Sequence, residues 1–544
     1  MNQLLKFLLL ITILASSSCS KKEIQPNIVF IMSDDHAFQA VSAYGHNLNN
    51  TPNIDRIAEE GAIFNKGFVT NSICAPSRAV MLTGKHSFVN GKVDNVQPFN
   101  WDQSNFAKDL QNAGYETALI GKIHLKGKPQ GFNHWSVLPG QGHYYNPKFI
   151  ENGDTIQIEG HVTPITTKMT LDWLKNTRDK EKPFLLLYHQ KAPHRNWMTE
   201  EKYLTLFDDK TFEPPFNYYD NYEGNGTAAK EQEMQVDGHA VWGHDFKFLT
   251  NPITGKKTNF NWELKRLTDA QREKWLAAYT PKNDAFREAN LTGRDLGKWK
   301  FNRYIKDYLR CVAGIDRAVG SVLDYLEENG LSENTIVVYT SDQGFYLGEH
   351  GWFDKRWMYE ESFKMPFVIK NPRTIEAGTN SDAMIMNVDF APTLIDMAGL
   401  EIPSEMQGKS FKGVFEGDQK NQRESVYYHY YEFPIWHNVQ PHYGIRTDRY
   451  KLMHFYYSMD EWELYDLKTD PNEMHNIYSE APPELIASLK KEIQELRKEY
   501  KDDGSIEQMR RMTDTVIQRV YNEPKVYKES NKKDKAQNIE ISII

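Results

Sequence analysis

Four short apolar segments, rich in β-branched residues, constrain the fold more than any other feature of the sequence. They are NIVFIMS (27–33), YETALIG (115–121), PFLLLYHQ (183–190) and NTIVVYTS (334–341). Each is short and almost wholly apolar, which is typical of a strand buried on both faces. Helical patterns such as NFAKDLQNAGY (105–115) lie between them. The alternation predicts an α/β fold with a large mixed, mostly parallel sheet sandwiched by helices.

The pattern changes at about residue 400, which indicates a second, smaller domain. Residues 25–400 carry the alternating elements, and the polar, glycine-bearing residues 401–424 are interpreted as a linker. Residues 425–523 combine aromatic strand patterns, joined by Thr-Asp and Asp-Pro turns, with an amphipathic helix pattern at 482–500. They predict a C-terminal α+β domain on a short antiparallel sheet. The lysine-rich residues 524–544 are interpreted as a tail.

Residues 205–300 lack clear strand patterns and are interpreted as an insertion of loops and short helices. The segment that follows, 304–330, has apolar residues at every third or fourth position, and it ends at Gly330. This spacing predicts an amphipathic helix closed by a glycine. Cys311 falls near its apolar face, so we interpret this cysteine as a packing residue.

Residues 1–19 have the features of an export signal. Lys6 is followed by an apolar run, residues 8–15, that is too short to span a bilayer. Small residues before Cys19 predict lipoprotein processing, after which Cys19 would carry a membrane anchor. An ordinary cleaved signal peptide is the alternative, because Ser16 stands where a lipoprotein signal usually has an aliphatic residue. Both interpretations predict an exported protein of the periplasm or cell surface.

Polar residues follow the predicted strands directly. Asp34 and Asp35 come after the first strand, and Asp342 and Gln343 come after the fourth. In open parallel sheets, ligands bind beyond the carboxyl ends of the strands. Three carboxylates and one amide oxygen suit a hard divalent cation such as Ca²⁺. The absence of nearby His or Cys ligands argues against zinc.

Cationic and titratable side chains are expected at the same edge. Lys122 and His124 follow the second predicted strand, and His194 follows the third. Together with Arg78 they favour an oxyanion substrate, whose oxygens they would neutralise. Lys355, in GEHGWFDKRWMYEES (348–362), is a further candidate cation. The overall net charge of −9 argues against a nucleic-acid partner.

The sequence around Cys74 indicates which kind of oxyanion the substrate carries. It lies in SICAPSRAVMLTGKH (72–86), and the other two cysteines of the chain are distant in sequence, so neither a disulfide framework nor a zinc site is indicated. The stretch CAPSRAVMLTG resembles the signature of type I formylglycine-dependent sulfatases, which belong to the alkaline phosphatase superfamily. The stretches TPNIDRIAEEG, GKIHL, APH, SDQG, GEHG and ELYDLKTDPNE occur in the order found in that family. The resemblance covers about residues 25–500.

The resemblance implies roles for the candidate residues. A formylglycine-generating enzyme would oxidise Cys74 to an aldehyde, whose hydrate carries one hydroxyl that attacks sulfur and a second that expels sulfate. Arg78 would orient this group, and Lys122 and Lys355 would bind sulfate oxygens. His194 would protonate the leaving oxygen, and His124 would act as the base in sulfate release. The implied Ca²⁺ ligands are Asp34, Asp35, Asp342, Gln343 and the modified Cys74; the family often has Asn where Gln343 stands.

Four further stretches resemble bacterial sulfatases that remove 6-O-sulfate from N-acetylglucosamine. They are GFNHWSVLPGQGHYYNP, PHRNWM, DKRWMYEES and HYGIRTDRYKL. The resemblance implies that Asp354, Arg356 and His442 bind the sugar, and that the enzyme acts on the ends of sulfated glycans of heparan or mucin type. Alternatives are a sulfatase for 2-O-sulfated uronate or N-sulfoglucosamine, a phosphonate or phosphodiester hydrolase of the same superfamily, and a non-catalytic glycan-binding lipoprotein.

Overall fold

The computed structural model describes residues 25–417, 423–434 and 437–522. The predicted leader with Cys19, part of the predicted linker and the predicted tail lie outside these ranges. Within the described ranges, no helix combines the length and the apolar character needed to cross a bilayer.

The described strands belong to three sheets. In chain order they are β1 (Asn27–Ser33), β2 (Ala62–Phe68), β3 (Glu116–Gly121), β4 (His134–Val137), β5 (Lys148–Glu151), β6 (Asp154–Gln157), β7 (Phe184–His189), β8 (Thr335–Ser341), β9 (Tyr346–Leu347), β10 (Phe353–Asp354), β11 (Phe367–Lys370), β12 (Thr379–Met386), β13 (Ser425–Tyr430), β14 (His442–Thr447), β15 (Tyr450–Phe455) and β16 (Glu461–Asp466). The four strands predicted from the apolar segments are all present, as β1, β3, β7 and β8.

The α-helices cover both faces of the main sheet and one side of the small domain. They are α1 (Pro52–Glu59), α2 (Cys74–Thr83), α3 (Ser87–Asn90), α4 (Phe106–Asn112), α5 (Val162–Asp172), α6 (Thr227–Glu231), α7 (Phe260–Arg266), α8 (Asp269–Ala289), α9 (Gly293–Glu328), α10 (Glu360–Phe363), α11 (Phe390–Met397), α12 (Lys412–Phe415), α13 (Pro483–Glu499) and α14 (Ile506–Asn522).

The main sheet has ten strands in the order β12-β2-β11-β8-β1-β7-β3-β4-β5-β6. Its centre, from β8 to β4, is entirely parallel. Antiparallel partners lie at β11 and at β5 and β6. The large mixed, mostly parallel sheet is therefore confirmed. The four strands β8, β1, β7 and β3 are direct neighbours, so their carboxyl ends meet at one place.

Strand β1 shows why the sheet is buried on both faces. Phe30 and Met32 pack into a core with helices α2, α4 and α11, whereas Val29 and Ile31 pack into a second core with α1, α5 and α9. Side chains of a strand alternate between faces, so a continuous apolar run needs a helix layer on each side. The run NIVFIMS therefore contributes side chains to both hydrophobic cores.

The region 205–300 differs from the expectation of loops and short helices. It contains α8, a helix of 21 residues, and the beginning of α9, which has 36 residues. Thr268 and Gln271 form a capping box at the start of α8, and Pro281 lies inside it. Proline and many charged residues hide the apolar spacing that normally predicts a helix. Cys311 is 3% exposed within α9, which confirms its interpretation as a packing residue.

The small domain is a four-stranded antiparallel sheet in the order β13-β14-β15-β16. Helix α13 packs against this sheet through residues such as Leu489 and Ile493. The opposite face contributes Tyr428 and Phe455 to the first core of the large sheet. Phe411, in the region predicted as a linker, is buried in the same core. The small domain is thus packed directly on the large one, beside the carboxyl ends of its strands.

Candidate active site

The central strands bring the predicted residues together as the topology requires. Ser33 pairs with Ser341, so the two acidic pairs that follow β1 and β8 lie side by side. Gly121 at the end of β3 has φ +110°, and a Cβ there would lie 1.8 Å from the His189 carbonyl oxygen. Only glycine allows this close approach, in which the Lys122 N–H donates to that oxygen at 3.0 Å. The end of β3 is thereby joined to the end of β7.

Three carboxylates form the centre of the site. Oxygens of Asp34, Asp35 and Asp342 lie within 4.8 Å of one another, and all three side chains are buried. The Asp35 N–H donates to Asp342 Oδ1 at 3.0 Å, which links the ends of β1 and β8. Such a concentration of negative charge in a protein interior requires positive charge nearby.

The carboxylates titrate differently because their neighbours differ. Burial raises the pKa of Asp342 to about 7, and the nearby Asp34 adds to the increase. Burial likewise raises the pKa of Asp35 to about 6, although Lys355 opposes it. Burial also acts to raise the pKa of Asp34, but Lys122, His194 and Arg78 outweigh it, so that this pKa lies well below its ordinary value. Each carboxylate therefore has its own balance between the cost of burial and the charge of its neighbours.

The residues present fit a hard divalent cation. Gln343 Nε2 donates to Asp35 Oδ1, while its amide oxygen, Oε1, is buried and has no hydrogen-bond partner. This unpartnered amide oxygen and the three carboxylates together form a set of hard oxygen donors of the kind that Ca²⁺ accepts. Asp34, Asp35, Asp342 and Gln343 are therefore a candidate metal cluster, as predicted from the strand ends.

Cys74 is the first residue of α2, beside this cluster. Its Sγ lies 3.9 Å from Asp35 Oδ1 and within 4.8 Å of an Asp34 oxygen and a His194 nitrogen. Burial, and then Asp34, raise the pKa of the thiol well above its ordinary value. An unmodified Cys74 would stay protonated and would be a poor nucleophile. The position suits a reacting group that does not depend on a thiolate.

Three cations surround the carboxylates. Arg78 Nε donates to Asp342 Oδ2 at 2.9 Å, and its Nη2 lies 3.3 Å from Asp34 Oδ1. Lys355 Nζ lies 2.6 Å from both oxygens of Asp35. Lys122 Nζ donates to Asp34 and to the Gln141 side chain. The two lysine ammonium groups thus lie against the adjacent carboxylates Asp34 and Asp35.

Two histidines complete the cluster. His194 Nδ1 lies 2.5 Å from the Arg195 carbonyl oxygen, so this nitrogen carries the proton, and Nε2 lies 3.8 Å from Asp35 Oδ2. Burial and Lys122 lower the pKa of His194 well below its ordinary value. The same two causes lower the pKa of His124, whose Nδ1 is buried and without a partner. A neutral imidazole of this kind can accept a proton.

Comparison with known proteins identifies the family. Residues 26–400 match the family model described as Sulfatase, which is more than half of the 544 residues. The chain belongs to the sulfatase family. It is therefore a sulfuric ester hydrolase, and the resemblance noted from CAPSRAVMLTG is confirmed. A second model, described as N-sulphoglucosamine sulphohydrolase, C-terminal, matches residues 348–499 of this sulfatase.

Relatives of known name or structure extend the comparison. A Bacteroides thetaiotaomicron protein named N-acetylglucosamine-6-O-sulfatase is 49% identical over 512 residues, which cover 91% of each chain. A solved structure in complex with its substrate, D-glucosamine-2-N,6-O-disulfate, is 48% identical, has a TM-score of 0.86, and covers 89% of this chain and 99% of that one. The phosphonate monoester hydrolase of Agrobacterium radiobacter is 18% identical, with a TM-score of 0.64 over 88% of this chain and 96% of that one; it shares the fold.

A second polar group of this sulfatase lies next to Lys355. Arg356 Nη1 donates to Asp354 Oδ1 at 2.6 Å, and His437 Nε2 lies 2.9 Å from Asp354 Oδ2. Asp354 and Arg356 have positive φ values, +77° and +95°, as do Asp35 and His124 in the catalytic cluster. Non-glycine residues rarely adopt this conformation except where surrounding contacts impose it, which is common at functional sites.

His442 does not belong to this second group, contrary to the expectation from the resemblance. Its Nε2 accepts the Met358 N–H at 3.1 Å, and its Nδ1 donates to the Gln440 carbonyl oxygen at 2.7 Å. The ring is fully buried and stacks on Tyr428. Both ring nitrogens form hydrogen bonds with backbone groups, so His442 supports the sheet. His437, and not His442, contacts Asp354.

Two further residues escaped the sequence interpretation. Gln141 accepts a hydrogen bond from Lys122, and Glu432 of the small domain accepts the Asn95 N–H at 2.7 Å. Asn95 Oδ1 in turn accepts the N–H of Ala75, next to Cys74, at 3.0 Å. The small domain therefore supports the segment that carries Cys74. None of these residues follows a strand directly, so the sequence offers no local signal for them.

Proposed function

We propose that this sulfatase removes the 6-O-sulfate of N-acetylglucosamine at the end of a glycan of heparan or mucin type. The group Asp354, Arg356 and His437, directly beside Lys355, is the observation on which the proposal mainly depends. It offers a carboxylate, a guanidinium and an imidazole to sugar hydroxyl and amide groups while the sulfate lies at the lysines. The 49% identity to a protein named N-acetylglucosamine-6-O-sulfatase supports this assignment.

The proposal assigns a task to each residue of the catalytic cluster. Lys122 and Lys355 bind sulfate oxygens and neutralise the charge that develops on them. Arg78, tied to Asp342 and Asp34, holds the group at position 74 in line with sulfur. His194 Nε2 gives a proton to the leaving sugar oxygen, and the bound sulfate ester, an anion near Lys122, would raise the pKa of this histidine. His124, neutral in the free enzyme, takes a proton during sulfate release.

The proposal also includes a modified residue and a metal ion, neither of which is part of the unmodified chain. Cys74 is matured to formylglycine by a separate generating enzyme, and the hydrated aldehyde supplies one hydroxyl for attack and one for release. Asp34, Asp35, Asp342 and Gln343, with the modified Cys74, would hold Ca²⁺, which would supply positive charge to the reacting group.

Export and lipid anchoring are also proposed, on the basis of the leader sequence. A protein with Cys19 as its lipidated residue would lie in the periplasm or at the cell surface. Glycans too large to enter a cell are available there, which agrees with an enzyme that acts on glycan ends.

A panel of defined substrates tests the function. Sulfate release is measured from N-acetylglucosamine-6-sulfate, 2-O-sulfated uronate, 3-O-sulfated glucosamine, N-sulfoglucosamine and an aryl phosphate ester, after mass spectrometry has confirmed the aldehyde at position 74. We expect the 6-O-sulfate to be among the best substrates. The Cys74→Ala variant, made in the same host, should lose at least roughly 10³-fold of the activity.

Two outcomes would contradict the proposal. A clear preference for 2-O-sulfated uronate would refute the substrate, while leaving the sulfatase family intact. Equal activity of the parent and of Cys74→Ala would refute the role of position 74.

A further inference from the structure

Glu432 has one carboxylate oxygen that nothing in the described chain satisfies. The residue follows β13 at a distance of two positions and is 2% exposed. Its Oε1 accepts the Asn95 N–H at 2.7 Å, whereas its Oε2 is buried and has no hydrogen-bond partner among the described residues. A buried carboxylate oxygen without a donor is costly. A ligand that brings a donor to Oε2 would remove this cost.

Glu463, another acid of the small domain, shows that the fold can satisfy a carboxylate of this kind by itself. It is fully buried, yet both of its oxygens have donors. The Tyr465 hydroxyl donates to Oε2 at 2.8 Å, and the Gly226 N–H donates to Oε1 at 3.1 Å. Glu432 differs from Glu463 because only one of its oxygens is paired.

Hydrogen bonds place Glu432 beside the reacting residue. The N–H of Ala75, the residue after Cys74, donates to Asn95 Oδ1 at 3.0 Å. The Asn95 N–H donates to Glu432 at 2.7 Å, so a single residue connects this carboxylate to the first turn of α2. A sugar whose sulfate ester reacts at position 74 is therefore close to Glu432.

Arg356 has a free atom that complements the free oxygen of Glu432. Its Nη1 donates to Asp354 Oδ1 at 2.6 Å, but its Nε is buried and without a hydrogen-bond partner. Burial raises the pKa of Glu432 to about 7, and the charge of Arg356 opposes this increase. Within the part of the chain that the structure describes, no ion pair of 4.0 Å or less joins the two side chains.

A second series of hydrogen bonds holds Arg356 against the same segment. The N–H of Ser72, two residues before Cys74, donates to the Tyr428 hydroxyl at 3.3 Å. That hydroxyl donates to the Arg356 carbonyl oxygen at 2.6 Å. Arg356 and Glu432 are thus both attached to residues 72–75, one through Tyr428 of β13 and the other through Asn95.

The low exposure of Glu432 agrees with a place in the pocket. Cys74, Lys355 and Arg356 are 1%, 3% and 4% exposed, so the catalytic cluster and the residues beside it are enclosed to the same degree. Hydrogen bonds made in such an enclosed site are stronger than those made in water. An acceptor with one free oxygen at this place can therefore distinguish between sugars.

We propose that the free carboxylate oxygen of Glu432 accepts a hydrogen bond from the sugar, given by a ring hydroxyl or by the acetamido N–H. The inference rests on the proposed function, because it concerns the sugar whose sulfate ester reacts at position 74. A buried acceptor that pairs with one polar group of a substrate rejects an analogue that lacks this group. Glu432 would then determine specificity, in addition to its contact with Asn95.

The test uses a variant that keeps the structural contact and removes the charge. Glu432→Gln retains a side-chain oxygen for the Asn95 N–H. Asn95→Ala is the matched control, because it breaks the contact with Ala75 and leaves Glu432 unchanged. For each protein, kcat and KM are measured on N-acetylglucosamine-6-sulfate and on three analogues that lack the 3-hydroxyl, the 4-hydroxyl or the acetamido group.

We expect Glu432→Gln to raise KM for the complete sugar roughly tenfold, which is typical for losing a hydrogen bond to a charged group. For one analogue, the KM values of the parent and of Glu432→Gln should be equal, because that analogue has already lost the donor. This analogue identifies the donor as one of the two hydroxyls or the acetamido N–H. Asn95→Ala should lower kcat by the same factor on all four sugars.

Three results would overturn the proposal. An unchanged KM in Glu432→Gln would mean that water satisfies the free oxygen. An equal increase in KM on all four sugars, or a loss of kcat alone, would mean that Glu432 acts only through Asn95. The parent protein gives a check that needs no variant, since KM must rise about tenfold for at least one of the three analogues.

Binding to an inactive protein separates this inference from the proposed function. In a Cys74→Ala background, the rise in Tm caused by a sulfated sugar and by its deoxy analogues is measured with and without Glu432→Gln. If the preferred sugar is not a 6-O-sulfated N-acetylglucosamine, the proposed function is wrong, and the measurement is made on the preferred sugar instead. A rise that Glu432→Gln reduces only for sugars with one particular donor supports the role of Glu432. An equal reduction for all sugars, or none, refutes it.

Discussion

The floor and the rim of the active-site pocket are built in different ways. The floor consists of Cys74 and the residues that follow β1, β3, β7 and β8, and the rim consists of Asp354, Arg356 and His437. Strand pairing determines the floor, because four neighbouring parallel strands must end at the same edge. The rim is assembled from a loop of the large domain and a loop of the small domain, which meet only through packing.

The two regions also differ in how their charges are balanced. In the floor, Asp34, Asp35 and Asp342 face Arg78, Lys122 and Lys355 at close range. In the rim, one carboxylate, Asp354, faces two basic side chains, Arg356 and His437. The floor is therefore suited to one reaction, whereas the excess of basic groups over acids in the rim can select the substrate.

The largest expected effect comes from a substitution in the floor. Replacing His194 by Gln should lower kcat on a sugar sulfate roughly 10²–10⁴-fold, because a sugar alkoxide leaves poorly without a proton. The loss should be much smaller on 4-nitrophenyl sulfate, whose leaving group needs no proton. Both rates are measured by sulfate release, with the exposed His475→Gln as control. Equal losses on the two substrates would contradict the role of His194 as an acid.

Calcium binding tests the floor without reference to activity. Ca²⁺ at about one hundred times its Kd should stabilise the protein by about 2.7 kcal/mol, seen as a rise in Tm of a few degrees. Asp342→Asn should abolish most of this rise, because it removes one carboxylate of the cluster, whereas Asp503→Asn, at an exposed position, should keep it. Differential scanning calorimetry with EGTA and with Ca²⁺ gives both values. A full Ca²⁺ response in Asp342→Asn would place the ion elsewhere.

The smallest expected effect on activity separates the two histidines of the small domain. His437→Ala should raise KM for the sulfated sugar about tenfold, equivalent to about 1.4 kcal/mol, with little change in Tm, since His437 contacts Asp354 at the rim. His442→Ala should instead lower the stability by about 3 kcal/mol, because it empties a buried stacked position. KM and Tm are measured for both variants. If His442→Ala changes KM and not Tm, the assignment must be reversed.

How well the sequence predicted the site also differs between the floor and the rim. NIVFIMS and NTIVVYTS predicted two strands whose ends carry Asp34, Asp35, Asp342 and Gln343, and the structure joins these ends. The long helix α8 was not predicted, because charges and Pro281 obscure its period. His442 was expected to bind the sugar with Asp354 and Arg356, but His437 is the histidine that contacts Asp354. These two residues are five positions apart, and only the path of the chain before β14 decides which one reaches Asp354.

The sequence by itself determined the α/β class, the sulfatase family and the acidic pairs at the strand ends. Each of these depends on local information: apolar period, strand length, and the residues that directly follow a strand or begin a helix. The tertiary structure alone decided that Glu432 supports the segment of Cys74 and that His437 joins Asp354. Residues far apart in the chain make these contacts, so their distances depend on how helices and the small domain pack, which no short stretch of sequence specifies.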